Sequence, residues 1–353
     1  MTSAASLDPV HIAGDPATIG RRLGELARPV MDAYLAQSDA WRAVERWRGH
    51  PFVAALRAAT ARHFPALLDE LDGIAAGLGR SADDVFLWNC RGELAHSTPD
   101  GCTTLAAVSP RGAWIAHNED GDPCLRGRCM LVDVQPEGKP GFVSFYYPGS
   151  LPGHTFAANR AGLAQAINNV RLLEPRVGVP RMVLARAVLD AASLDDALAL
   201  LSDTPRASGF HHTLGAVEES GEADGTARIV SVEATARRCS IEAVGALRGH
   251  ANHLIHTGHE SEAQIVTDSS RDRQLRLAQL LPGAEREGNA DALVAALHDV
   301  APSGLPIYRD DPHDPDGENT LATALMQPRA DGVALRVVQH HVTTFDQLIA
   351  RTC

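Results

Sequence analysis

Residues 100–120 read Asp-Gly-Cys-Thr-Thr-Leu-Ala-Ala-Val-Ser-Pro-Arg-Gly-Ala-Trp-Ile-Ala-His-Asn-Glu-Asp. Cys102 follows a glycine and heads an apolar run to Val108. Ser109 to Gly112 form a turn-prone break, and Ala113 to Ala116 lead into the polar tip His117-Asn118-Glu119-Asp120. Two short apolar runs about a Pro/Gly turn predict a β-hairpin with a four-residue loop. This hairpin divides the chain into a part that reads as helices and a part that reads as strand pairs.

Upstream, Asp15-Pro16 supplies an acidic cap and a first-turn proline for a helix carrying Ile19, Leu23 and Leu26. His50-Pro51 opens another, with Val53, Leu56, Phe64, Leu67, Leu68, Leu71 and Ile74 as its stripe and Gly77 and Gly79 as its end. Asp84 to Leu94 reads as a further buried helix, followed by the polar run Ser97-Thr98-Pro99-Asp100-Gly101. Residues 1–101 are therefore expected to be a helical segment, and 102–353 the catalytic part.

Downstream, strand pieces are expected at Gly141 to Tyr147, Gly162 to Val170, Ile229 to Val232 and Ser240 to Val244. A last pair is expected at Thr320 to Met326 and Val333 to Val338. One long helix is predicted over Pro180 to Leu201, and two more over Ser270 to Leu281 and Ala290 to Val300. Hairpins grouped between helices fit an α+β architecture better than alternating βαβ units.

The 353 residues carry a formal net charge of −12, which argues against nucleic acid or an anionic membrane as the main partner. No run reaches the roughly 20 apolar residues of a membrane span, and the start lacks the pattern of a secretory signal. The six cysteines are sparse and irregularly spaced, so reduced thiols in a cytoplasm are expected, Cys124 and Cys129 included.

A thiol with a free pKa of about 8.5 needs a base to act as a nucleophile near neutral pH. A cysteine at a chain terminus carries that base itself, its own α-amine. Cys102 would gain such an amine if the chain cut itself between Gly101 and Cys102. Its sulfur can make that cut by attacking the preceding carbonyl, which a residue without Cβ leaves approachable.

The motifs around it resemble the isopenicillin-N acyltransferase-like family of autoproteolytic N-terminal-nucleophile (Ntn) hydrolases, relatives of the choloylglycine and penicillin V hydrolases. Gly101-Cys102-Thr103-Thr104 looks like the family's self-cleavage site, and Asn118-Glu119-Asp120 like its Asn-x-Asp motif. Asn89-Cys90-Arg91-Gly92-Glu93-Leu94 is similar to its Asn-x-Arg-x-Glu-Leu. Gly162 to Asn169 resembles its Gly-Leu…Asn-Asn element, and Ala251-Asn252-His253 its Asn-His element. Ser269 to Arg273 and Thr320-Leu321-Ala322 also look alike.

The resemblance implies a four-layer αββα sandwich, no cofactor, and amide hydrolysis or acyl transfer through a thioester on Cys102. Its small-molecule amide substrate is not named by the sequence. The resemblance places Asp120 near the new amine and Asn252 in the oxyanion hole, with Asn169 or Asn168 as a second donor. Arg91 and Arg271 would bind a substrate carboxylate or form internal ion pairs. Glu119 stands where the acyltransferases commonly carry an aromatic residue, and an acid there suits a cationic acyl group such as β-alanyl. The cleaved segment 1–101 is expected to stay bound as a partner chain, because its apolar stripes need a core to cover. The sequence leaves the oligomeric state open, a homo-oligomer included.

His250, His253, His256 and His259 recur every three residues and raise a competing reading, a metal-dependent amidohydrolase. Gly249, Asn252, Thr257 and Gly258 do not suggest a helix there, and no carboxylate stands at zincin spacing, so no metal is assigned. A catalytically silent binding protein of the same fold is the third reading.

Overall fold

The computed structural model describes residues 7–95, 101–218, 226–287, 289–302 and 304–352. The polar run 97–100 lies outside them. The chain begins with strand β1 (Val10–Gly14), then helices α1 (Pro16–Gln37), α2 (Asp39–Glu45), α3 (Pro51–His63), α4 (Pro65–Leu78), α5 (Ala82–Asn89) and α6 (Arg91–Leu94). Asp15 caps α1 by accepting the Thr18 N–H at 2.7 Å. The single stripe expected from His50 onward is broken at Phe64-Pro65, because proline cannot donate to the preceding turn and is favoured at a helix start. Gly79 ends α4 at φ 71°, in the left-handed region.

The segment is not purely helical. Strand β1 pairs in parallel with β4 (Met130–Pro136), so the first residues form the edge of a large sheet. That sheet has eight strands in the order β1-β4-β5-β6-β7-β9-β10-β11. Its other members are β5 (Phe142–Tyr146), β6 (Phe156–Asn159), β7 (Ala164–Asn169), β9 (Phe210–Glu218), β10 (Thr226–Ala234) and β11 (Cys239–Ala243). Between β7 and β9 run β8 (Arg171–Leu172), α7 (Arg181–Val188) and α8 (Leu194–Asp203). The long helix expected over 180–201 is thus two helices, the second restarted by Ser193, which accepts the Asp196 N–H.

The hairpin that begins at Cys102 lies within the second sheet. β2 (Cys102–Ser109) and β3 (Gly112–Gly121) pair from Cys102↔Glu119 to Ser109↔Gly112, which leaves a two-residue turn rather than four. The sheet runs β12-β2-β3-β14-β15-β16, with β12 (Leu247–His250), β14 (Asn319–Arg329), β15 (Gly332–Gln339) and β16 (Val342–Ala350). β13 (Gln264–Ile265) pairs only with β8. Helices α9 (Asp268–Glu287) and α10 (Ala290–Leu297) cover its outer face, touching β12, β3 and β14.

The two sheets face each other, with β2 and β3 against β7 and β10. The core between them joins Ile115, Ala324 and Leu335 to Val143, Phe145 and Phe156. Helices α1, α4, α7 and α8 lie on the large sheet's outer side. The order of layers is helix, sheet, sheet, helix, and the architecture is α+β. Among the described residues no helix is long and apolar enough to cross a membrane, and Cys90, Cys102, Cys124, Cys129 and Cys239 are free thiols.

Candidate active site

Cys102 is the first residue of β2 and is buried. The peptide before it is held at both ends. The Asp120 N–H donates to the Gly101 carbonyl at 2.9 Å, and the Cys102 N–H donates to Asn252 Oδ1 at 2.9 Å. A Cβ on Gly101 would stand 2.3 Å from the Glu318 carboxylate, so only glycine fits there without a shift. Burial pushes the Cys102 thiol well up, and the charges of Glu119 and Asp120 push the same way. The Asn169 backbone N–H, donated to the sulfur, and the Arg273 guanidinium oppose them. The sulfur therefore rests as a thiol and needs a base to react.

Asp120 is fully buried one strand over. Its Oδ1 accepts the Thr320 hydroxyl at 2.6 Å, and Oδ2 has no hydrogen-bond partner among the described residues. Burial raises its pKa, while Arg273 and Arg309 pull it down. The buried Arg309 in turn pairs with Glu318 at 2.8 Å and with Asp314, both partners buried too.

Asn252 takes a different place from the one expected. Its Oδ1 accepts from the Cys102 N–H, and its Nδ2 donates to the Asn169 carbonyl at 3.0 Å. With that donor committed, Asn252 holds the cysteine nitrogen rather than an oxyanion. Asn169 and Asn168 alternate across β7 and so point to opposite faces. The Asn169 amide lines the cavity at Cys102, with neither polar atom hydrogen-bonded among the described residues. Asn168 faces the intersheet core, where it accepts from Thr104 and His211. Asn168 is a buttress, not a substrate group.

Arg271 takes the second of its two expected roles, an ion pair, though at the surface. It is exposed and pairs with Asp268 one turn back. Arg273 takes the site instead, donating to the Cys102 carbonyl, to Thr103 Oγ1 at 2.9 Å and to Asn252 Oδ1 at 2.6 Å. Helical spacing carried that signal: Ser269, Arg273 and Leu277 recur every fourth residue on the buried face of α9, and Arg271 falls off it.

A cavity of about 20 Å³, room for about one water, adjoins the sulfur. Arg91, Glu119, His154, Asn169, Arg181, Met182 and Phe210 line it with Cys102. Arg91 comes from the N-terminal segment and donates to the Trp88 carbonyl at 3.2 Å and Ser150 Oγ at 3.3 Å. Glu119 lies directly across from Cys102 in the hairpin, with Oε2 3.1 Å from His117 Nε2. His117, His154 and Arg181 had no role in the sequence reading; only folding brings them here.

The spaced histidines do not gather on a common point. His250 Nε2 meets Glu233 at 3.0 Å, His253 Nδ1 meets Ser270 at 2.7 Å, and His256 bridges Ser231 and Ser240. His259 stands 3.9 Å from Glu233. The rings of His250 and His256 tie the loop to strands and that of His253 ties it to α9, while neither ring nitrogen of His259 has a hydrogen-bond partner among the described residues.

The chain is 28% identical over 160 residues to the beta-alanyl-dopamine/carcinine hydrolase of Drosophila melanogaster, covering 40% of this chain and 41% of that one. It is also 28% identical over 141 residues to the acyl-coenzyme A:6-aminopenicillanic-acid-acyltransferase 40 kDa form of Emericella nidulans, covering 38% and 39%. The chain thus spans about two fifths of the length of each relative. The model of the acyl-coenzyme A:6-aminopenicillanic acid acyl-transferase family matches residues 108–341. That span starts just past Cys102, near the end of β2, and runs to the turn after β15. It covers well over half of the sequence, and the chain belongs to the acyl-coenzyme A:6-aminopenicillanic acid acyl-transferase family.

Proposed function

We propose that this protein is a self-cleaving Ntn hydrolase of the αββα type that hydrolyses small amides, or transfers their acyl group, through Cys102. The observation that carries this reading is the Gly101–Cys102 peptide, buried and held at its carbonyl by the Asp120 N–H and at its nitrogen by Asn252. Attack by the sulfur on the Gly101 carbonyl carbon breaks the C–N bond, and the thiol proton goes to the departing nitrogen. The amine is now free, and water then hydrolyses the thioester, releasing the Gly101 carboxylate and restoring the Cys102 thiol. The Asp120 N–H stabilises the oxygen that becomes negative in this step.

After cleavage the Cys102 amine is the base for its own thiol. The unpartnered Asp120 Oδ2 and Asn252 Oδ1 hold that amine, and the free Asn169 amide stabilises the substrate oxyanion. The thioester passes its acyl group to water or to an amine. Glu119 across from the sulfur supports an acyl group bearing an ammonium, and the fly relative, a beta-alanyl-dopamine/carcinine hydrolase, points the same way.

Intact-mass measurement and N-terminal sequencing test the core claim. Two fragments are expected, the second beginning at Cys102, and Cys102→Ala should stay whole and inactive. An active, uncut chain would overturn the proposal. For the substrate, kcat/KM should be higher for β-alanyl amines than for long-chain acyl amides; the reverse order removes the β-alanyl assignment.

A further inference from the structure

The donors Cys102 Sγ, one His117 ring nitrogen and one Glu119 carboxylate oxygen all lie within 4.8 Å of one another, and all three residues are buried. Among the described residues no other three side chains of metal-ligating type are so placed. Thiolate, imidazole and carboxylate are the donors that zinc takes, at about 2.0–2.3 Å each. The His117–Glu119 separation of 3.1 Å is already close to the edge of a tetrahedral site. Small side-chain rotations close the rest.

The hydrogen bonds behind His117 decide which nitrogen it presents. Asn168 Nδ2 donates to the His250 carbonyl at 3.3 Å, which turns Oδ1 toward Thr104 and His211. The Thr104 hydroxyl donates to that oxygen at 2.7 Å, so its one proton is used. The contact from Thr104 Oγ1 to His117 Nδ1, 2.8 Å, then needs its proton from Nδ1. The other ring nitrogen, Nε2, faces Glu119. A histidine whose far N–H is fixed on a hydroxyl, presenting its other nitrogen to a thiol and a carboxylate, has the outer support that metal ligands have.

We propose that Cys102, His117 and Glu119 bind one Zn2+ ion, which caps the sulfur and holds the protein in a reversibly silent state. The ion enters as the thiol proton leaves, with no change of oxidation state. The thiolate and carboxylate cancel the ion's charge, so Arg273 beside the sulfur meets no net cation. The three donors are present in the uncut chain, so the inference stands apart from self-cleavage. A freed Cys102 amine would add a fourth donor in a five-membered chelate ring.

The test uses the full chain with Zn2+ in calorimetry and Co2+ as an absorbing surrogate. Expected are one tight ion per chain and a thiolate-to-cobalt charge-transfer band. Cys124→Ser, which removes an exposed thiol, should bind as the wild type does. His117→Gln should weaken zinc by at least about tenfold, and Glu119→Gln is the second variant should that one not fold. Absence of the cobalt band, or wild-type affinity in both variants, would overturn the site. Intact mass on the same samples separates the two claims: zinc bound by an uncut chain sustains the site and sinks self-cleavage, whereas a cut chain without zinc does the converse.

Discussion

At the scale of single residues, two neighbours of the nucleophile have separable jobs. Asn169 offers its side-chain amide to the cavity while its backbone N–H serves the sulfur. Asn169→Ala should therefore lower kcat by about 10²–10³-fold, the cost of one oxyanion donor, with little change in KM. Steady-state kinetics check this, and an unchanged kcat would move the oxyanion elsewhere. On α9 the contrast lies between residues two apart. Arg273→Lys loses the planar fork that reaches Cys102, Thr103 and Asn252 together, and should stall cleavage at Gly101 on a gel time course. Arg271→Ala removes an exposed pair and should cleave normally, with stability within about 0.5 kcal/mol.

At the scale of elements, close backbone approach holds the N-terminal segment together, and a buried ion pair joins it to the rest. Gly20 and Gly24 of α1 meet Gly73 and Gly77 of α4, where an added Cβ would stand 2.0 to 2.5 Å from a carbonyl oxygen of the facing helix. Glu70 of α4 receives two bonds from Arg186 of α7, at 3.1 and 3.0 Å, both side chains almost without exposure. Asn89 accepts from the Leu151 N–H and Glu93 from the Arg181 N–H, tying α5 and α6 to the same part. Arg91 completes the cavity from α6. Residues 7–95 are thus woven into the core, which supports retention of the segment after cleavage. Glu70→Ala leaves the buried Arg186 with Asp190 as its remaining acidic partner and two of its N–H groups unsatisfied, and should cost up to about 3 kcal/mol by chemical denaturation. Replacing both partners with apolar residues should cost clearly less.

At the scale of the whole molecule, buried charge converges on one corner of the small sheet, where Asp120, Arg273, Arg309 and Glu318 meet. Burial raises the Glu318 carboxyl to about 7, against the pull of Arg171, Arg309 and Arg273. A folded pKa above the 4.5 of an exposed glutamate means the folded chain holds the proton more tightly. This contribution is complete below about 4.5 and is lost as pH rises through about 7. The Tm of the wild type minus that of Glu318→Gln should therefore fall steadily from about pH 5 to about pH 7.5 in a melting series. A flat difference would show that Glu318 is ionised throughout.

The sequence by itself determined the hairpin from Cys102 to Asp120, the α+β class, the first helix with its Asp15 cap, and the nucleophile's neighbours in the strand. These are local facts, written in apolar period, turn residues and register. It missed β1, because five residues carry too short a period to stand out from the helices after them. It also ran α7 into α8, since Ser193 restarts a helix without interrupting the apolar spacing. What only the tertiary structure decided was which long-range partners face the sulfur. Asn252 is on the Cys102 peptide nitrogen and Asn169 on the cavity, Arg273 rather than Arg271 reaches Cys102, and His117 is turned by a hydrogen-bond chain through Thr104 and Asn168. Such choices depend on which way a side chain points once two sheets have packed, and a linear pattern does not hold that direction.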